Sequence, residues 1–194
     1  MLSLEDRISL LERDLTSSPL RISVYNDLPF AILRYAPNEE WKTRLEARRL
    51  ATRLSNSGKA VHFISLADLL WEVIAAAEGI EAVAELEQER GFEEAQQQVA
   101  TYLSNGEYWP SLPDLLAEKL SALDPDHDIA FLMHASAMAP AIYQMSKLLD
   151  QMQGRTLVPA VLFYPGTLEG ATGLRFMALK EREALGNYRV KIYD

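Results

Sequence analysis

The chain reads as a single α/β domain, residues 1–194, with a mixed, mostly parallel sheet flanked by helices and an antiparallel hairpin at its C-terminal edge. Two observations predict it. Strand-length apolar runs alternate with helical stripes from Phe30 to Tyr164, the pattern of a parallel sheet with crossover helices. The last two strand-like runs, Leu174 to Met177 and Tyr188 to Tyr193, lie about ten residues apart, too close for a comfortable parallel crossover, so they are expected to form the edge hairpin.

Each element has a local reason. Leu4, Ile8, Leu11 and Leu15 share one face of an N-terminal helix, about residues 3–16, which the Ser17-Ser18-Pro19 cluster ends. "FAILRYA" (Phe30 to Ala36) is a buried strand stopped by Pro37. Asn38 is placed to cap the next helix, with Glu39 and Glu40 in its first turn; Thr43, Ala47, Leu50, Ala51 and Leu54 form its stripe and Gly58 follows its end. "AVHFISL" (Ala60 to Leu66) is a second strand. Leu69, Leu70, Val73, Ile74 and Ala77 share the next helical face. After Gly79 an acidic, Gln-rich segment, about residues 80–109, reads as an exposed helical insertion closed by Asn105-Gly106 and Trp109-Pro110. Ser111 and Asp114 resemble a capping box ahead of Leu112, Leu115, Leu116, Leu120 and Leu123. Asp128 to Ala135 is a third strand, Met138 to Met152 a helix with apolar residues every three or four positions, and Leu157 to Tyr164 a fourth strand ended by Pro165-Gly166.

Composition narrows the function classes. No apolar run approaches the roughly 18 residues of a membrane span, the N-terminus lacks a signal-peptide layout, and a cytoplasmic location is the expectation. With no cysteine there is no thiol chemistry, disulfide or Cys-ligated zinc. A net charge of −9 argues against non-specific nucleic-acid binding.

In an open α/β sheet ligands bind beyond the carboxyl ends of the strands, here Tyr35 to Glu39, Ser65 to Asp68, His134 to Met138, and Tyr164 onward. The stretch "VPAVLFYPGTLEGATGLRFM" looks like a strand entering a phosphate loop. It has no Lys, Glu169 stands where phosphate would sit, and a strand-like run follows Gly173 in place of a helix. Pro165 and Gly166 are therefore expected to stop a central strand, with Arg175 and Arg189 tying down the hairpin or facing a partner. His134 and Ser136 are a hydrolase candidate without a nucleophile elbow. Asp124, Asp126 and Asp128 with His127 read as a polar turn before a metal site, and no cofactor or metal is assigned. Lys42, Arg44, Arg48, Arg49 and Arg53 make either a docking face for a nucleic acid or an acidic partner, or a solvated flank; the interleaved Glu39, Glu40 and Glu46 favour the flank. Tyr108 and Trp109 are partner-contact candidates or a lid on the core.

"FAILRYAPNEEW", "RRLATRLSNSGKAVHFISLADLLWEVI", "DIAFLMHASAMAPAIYQMSKLLDQM" and the C-terminal pair "VPAVLFYPGTLEGATGLRFM" and "NYRVKIYD" are together similar, in order and spacing, to the BrxB family of the BREX (bacteriophage exclusion) defence systems, over about Phe30 to the C-terminus. Tyr164, Pro165, Gly166, Arg175, Tyr188 and Arg189 carry the most specific part. The resemblance implies a non-enzymatic adaptor in an anti-phage complex, contacting other BREX proteins, PglZ first among them, with nucleic acid reached only through the complex. It supplies no catalytic residues. The alternative is a nucleotide- or nucleic-acid-binding regulatory subunit with a degenerate phosphate-type loop, which requires positive potential around Arg175, Arg189 and Lys191.

Overall fold

The computed structural model describes residues 2–22, 28–139, 142–170, 173–179, 188 and 190–194. Among them, β1 (Phe30–Tyr35), β2 (Ala60–Ser65), β3 (Asp128–Met133), β4 (Ala160–Glu169) and β6 (Lys191–Tyr193) form one parallel sheet in the order β2-β3-β4-β1-β6, and β5 (Gly173–Phe176) pairs antiparallel with β4. Helices α1 (Leu4–Leu15) and α2 (Glu40–Asn56) cover one face. Helices α3 (Leu66–Ala76), α5 (Phe92–Ser104), α6 (Leu112–Ser121) and α7 (Met145–Met152) cover the other.

Register explains why β1, β3 and β4 read as continuous apolar runs. Ile64, Leu132, Leu162, Ile32 and Ile192 lie side by side across the sheet and point towards α3, α6 and α7. One residue back, Phe131, Val161 and Ala31 point towards α1 and α2. A central strand covered on both faces has no polar side to display. Each large side chain so buried contributes roughly 1.5–3 kcal/mol.

The N-terminal helix folds as its stripe predicts, with Leu4, Ile8, Leu11 and Leu15 all buried. Ser3 Oγ accepts from the Asp6 amide at 3.1 Å while the Asp6 carboxylate accepts from the Ser3 amide at 3.2 Å. At its other end Asp14 accepts from Lys191 Nζ at 2.5 Å and from the Tyr193 hydroxyl at 2.8 Å. Burial penalises that carboxylate, but these two donors outweigh it and hold its pKa below the ordinary value. Arg34, paired with Asp194, and buried Arg7, bonded to the Arg34 carbonyl, tie the same face together.

Three expectations are corrected. The edge hairpin exists, but β4 and β5 form it, while β6 runs parallel to β1. β6 is only three residues long, so residues 177–190 give the chain more slack between β5 and β6 than the sequence reading allowed. Pro165-Gly166 does not stop β4. The strand runs on to Glu169, because β3 ends at Met133 and β1 at Tyr35, and the main chain beyond them finds a new partner in β5. Met138 to Met152 is not one helix: a 3-10 turn, Ala135–Met138, precedes α7, and Pro140, which lies outside the described residues, has no N–H for a helix interior.

Smaller differences concern caps and the insertion. Pro37–Glu39 form a 3-10 turn, so α2 begins at Glu40 and Asn38 does not cap it. The capping box of Ser111 and Asp114 is present. Within the 80–109 segment, α4 (Gly79–Arg90) buries none of its residues, whereas α5 buries Ala95, Tyr102 and Leu103. No helix among the described residues is long and apolar enough to cross a membrane.

Candidate functional site

Two places at the carboxyl ends of the strands compete for a function. The first is the β4–β5 hairpin. Gly166 sits so close to its partner strand that a Cβ would lie 2.3 Å from the Arg175 carbonyl oxygen and 2.8 Å from the Tyr164 ring. Only a residue without a side chain passes there. Tyr164 is buried beneath, edge-on to Phe176 and Tyr188 at centroid distances of 5.7 and 6.0 Å, and burial raises its hydroxyl pKa. Arg175 pairs with Glu169 across the hairpin at 2.6 Å, and Lys191 is held by Asp14. Two of the three cations that the phosphate-loop alternative needs are thus engaged by carboxylates. The third, Arg189, lies outside the described residues.

The second place is a groove of about 560 Å³ beside the carboxyl ends of β2 and β3. Trp41, Arg44, Leu45 and Arg48 line it from α2, Phe63 and Ser65 from β2, Asp68 from the first turn of α3, and Met133 and His134 from β3 and the residue after it. The α2 residues fall at i, i+3, i+4 and i+7, so they share one stripe, turned away from the core stripe of Thr43, Ala47, Leu50 and Leu54. Trp41 is 78% exposed and Phe63 47% exposed. A relay fixes Arg44: the Tyr35 hydroxyl donates to Glu40, Glu40 accepts from Arg44 Nε at 2.7 Å, and the guanidinium lies 4.9 Å from the centroid of the Trp41 ring. Arg48 has no ion-pair partner among the described residues. Its neighbours in sequence are paired: Lys42 with Glu5, Arg49 with Glu46, Arg53 with Glu12. The pairing with interleaved glutamates that the solvated-flank reading expects is present for Arg44 with Glu40 and Arg49 with Glu46, whereas Lys42 and Arg53 reach Glu5 and Glu12 of α1; Arg44 and Arg48 also face the groove.

At the groove's end His134 adopts the left-handed conformation, φ 61° and ψ 33°, which a non-glycine residue seldom occupies. Its Nδ1 lies 2.9 Å from Ser65 Oγ, and Ser65 Oγ accepts from the Asp68 amide at 3.1 Å as the N-cap of α3. Burial, and after it the Arg44 charge, push the His134 pKa below the ordinary histidine value. Ser136, the serine paired with His134 in the hydrolase reading, lies in the following 3-10 turn and does not line the groove. Among the described residues no carboxylate is hydrogen-bonded to His134, so the contact with Ser65 is a two-residue one without the acid a triad requires.

The remaining candidates take structural places. Asp124 accepts from the Asp126 amide at 2.9 Å and lies 3.0 Å from His127 Nδ1, and Asp128 accepts from the Asp124 amide at 2.8 Å: the polar-turn arrangement. Among the described residues no group of three or more His, Asp or Glu side chains is assembled for a metal ion. Trp109 folds onto the core, its Nε1 donating to the Tyr102 carbonyl at 3.0 Å, while Tyr108 remains exposed. Sequence reasoning missed Trp41, Leu45, Phe63 and the pairing of Ser65 with His134. The signal for the first two was present as a second stripe on α2. That Phe63 and Ser65 join it depends on strand order.

Fold and groove together define an open-sheet α/β protein with an aromatic and basic groove at the exposed edge of its sheet. The family model described as BREX protein BrxB matches residues 62–192, and the chain belongs to the BrxB family. The match begins within β2, so the similarity noted from Phe30 to Val61 lies ahead of it. No curated protein and no solved structure matches the chain. Family membership makes it a component of a BREX phage-defence system.

Proposed function

We propose that this chain is a non-enzymatic adaptor within its BREX system and that its partner, PglZ, docks on the groove between α2 and β2. The observation that carries this reading is the exposure of Trp41, Leu45 and Phe63 around two arginines in one concavity. Trp, Arg and other aromatics dominate the binding energy of protein interfaces, and apolar side chains grouped at an edge of a soluble protein mark contact sites. His134 fits the same reading: held neutral against Ser65, it closes the end of the groove as a hydrogen-bonding wall.

The test is copurification of the tagged full chain, co-expressed with the other proteins of its operon. PglZ should be retained by the wild-type chain and lost with Trp41→Ala. A chain that emerges alone, or one that retains PglZ equally well without Trp41, overturns the reading.

A further inference from the structure

β2 is an edge strand: it pairs with β3 on one side, and among the described residues no strand pairs with it on the other. The Ala60 amide donates to the His127 carbonyl on the β3 side at 3.0 Å. Main-chain groups alternate along a strand, so Ala60, His62 and Ile64 serve the β3 ladder while Val61 and Phe63 direct theirs to the open edge. Natural proteins guard such edges with Lys, Pro or a bulge. The sequence of β2, AVHFIS, contains no Lys and no Pro, and its six residues pair with β3 without a break in register.

The side chains next to this open edge are those of the groove. Phe63 stands edge-on to Phe131 at 5.7 Å on the α2 face and lines the groove with Trp41 and Leu45, and Arg48, which has no ion-pair partner among the described residues, supplies a guanidinium on a chain of net charge −9. A flat apolar patch would not select among partners. An open strand edge selects an extended main chain, and Arg48 selects a carboxylate, since Arg44 is already held by Glu40. From these we infer that the groove takes an extended acidic segment of a partner protein, which adds to the sheet as a strand beside β2, sets a large apolar side chain among Trp41, Leu45 and Phe63, and places a carboxylate on Arg48. The inference rests on the reading that a protein partner occupies the groove, and it specifies that partner's local chemistry and conformation.

The experiment uses the full chain co-expressed with the other proteins of its operon, with p-benzoylphenylalanine at position 63, irradiated and mapped by mass spectrometry. Cross-links should fall within a partner segment that carries Asp or Glu beside a large apolar residue. Arg48→Glu should lower their yield at least tenfold and Arg48→Lys far less. In the wild-type complex, hydrogen exchange at the Val61 and Phe63 amides should slow at least tenfold relative to the free chain; this readout needs no variant to fold. Cross-links to a PglZ segment without carboxylates, or unchanged exchange at these amides within an intact complex, overturn the inference while leaving the adaptor reading in place; cross-links to a second copy or to nucleic acid overturn both. Cross-links to an acidic segment of a BREX protein other than PglZ uphold the inference and remove PglZ from the adaptor reading.

Discussion

The β4–β5 hairpin and the α2–β2 groove lie at the same end of the sheet, and both contain aromatic rings and arginines. In the hairpin most polar and apolar groups satisfy one another: Arg175 Nη2 has Glu169, although its buried Nε has no hydrogen-bond partner among the described residues, Tyr164 is walled in by Phe176 and Tyr188, and Gly166 leaves no gap beside the partner strand. In the groove the equivalent groups stay open: Trp41, Leu45 and Phe63 are exposed and Arg48 is unpaired among the described residues. Residue types alone therefore do not separate a structural motif from a contact surface. What separates them is whether the interactions close within the chain.

The largest effect should come from breaking closure in the hairpin. Gly166→Val would drive a branched side chain against the Arg175 carbonyl and the Tyr164 ring, both backed by packed neighbours. We expect a loss of about 3 kcal/mol in urea unfolding, the upper part of the usual cost of overpacking. A variant as stable as wild type would mean that β4 and β5 separate freely and that the hairpin is not a closed unit.

Next in size, and opposite in kind, is Trp41→Ala. Because the side chain is 78% exposed, unfolding free energy should change by less than about 0.5 kcal/mol. Partner affinity measured by calorimetry should fall by about 2 kcal/mol or more, roughly 30-fold, as for an interface hot spot. An equal loss of stability and affinity would erase the contrast between the two regions.

The sequence marked the turn residues near the hairpin, though not its pairing of β4 with β5, more plainly than the groove, for a physical reason. Pro165, Gly166, Gly170 and Gly173 are punctuation visible in any strand-like run. Their visibility drew attention to a loop whose role is to turn β4 back onto β5. The core stripes of α1 and α2 were equally legible, since helix burial follows a local period. Strand order does not. Nothing local says that β2 ends at an open edge, or that Ser65 and His134, 69 residues apart, come within 2.9 Å. The sequence named both Ser65–Asp68 and His134–Met138 as strand carboxyl ends, and only the parallel pairing of β2 with β3 makes them neighbours.

Ser65→Ala probes the groove's fixed end with a smaller effect. It removes the α3 N-cap as well as the His134 contact and should cost about 1 kcal/mol, mostly from the cap. His134 should keep its lowered pKa in this variant, because burial leads its causes and Arg44 comes next. A histidine with a depressed folded pKa favours the neutral form, so the unfolded chain takes up the proton first as pH falls. Stability from this group is therefore intact above about pH 6.5, and it declines from there down to the folded pKa. Denaturation at pH 7.5 and 5.5 should show a loss in wild type and Ser65→Ala that His134→Gln reduces; a pH dependence that persists unchanged in His134→Gln would place the titration elsewhere.

The smallest effect is expected at Arg175, and it bears directly on whether the hairpin binds phosphate. Its pair with Glu169 is partly exposed, so Arg175→Ala should cost no more than about 0.5 kcal/mol of stability. If the hairpin is closed, calorimetry with nucleotides and short DNA should give the same negligible heats for Arg175→Ala and wild type, since Glu169 already holds Arg175 Nη2 and repels an incoming phosphate. Heats present in wild type and abolished in the variant would show that the ion pair opens for an anion. The hairpin would then be a second binding region beside the groove, and closure within the chain would no longer distinguish the two.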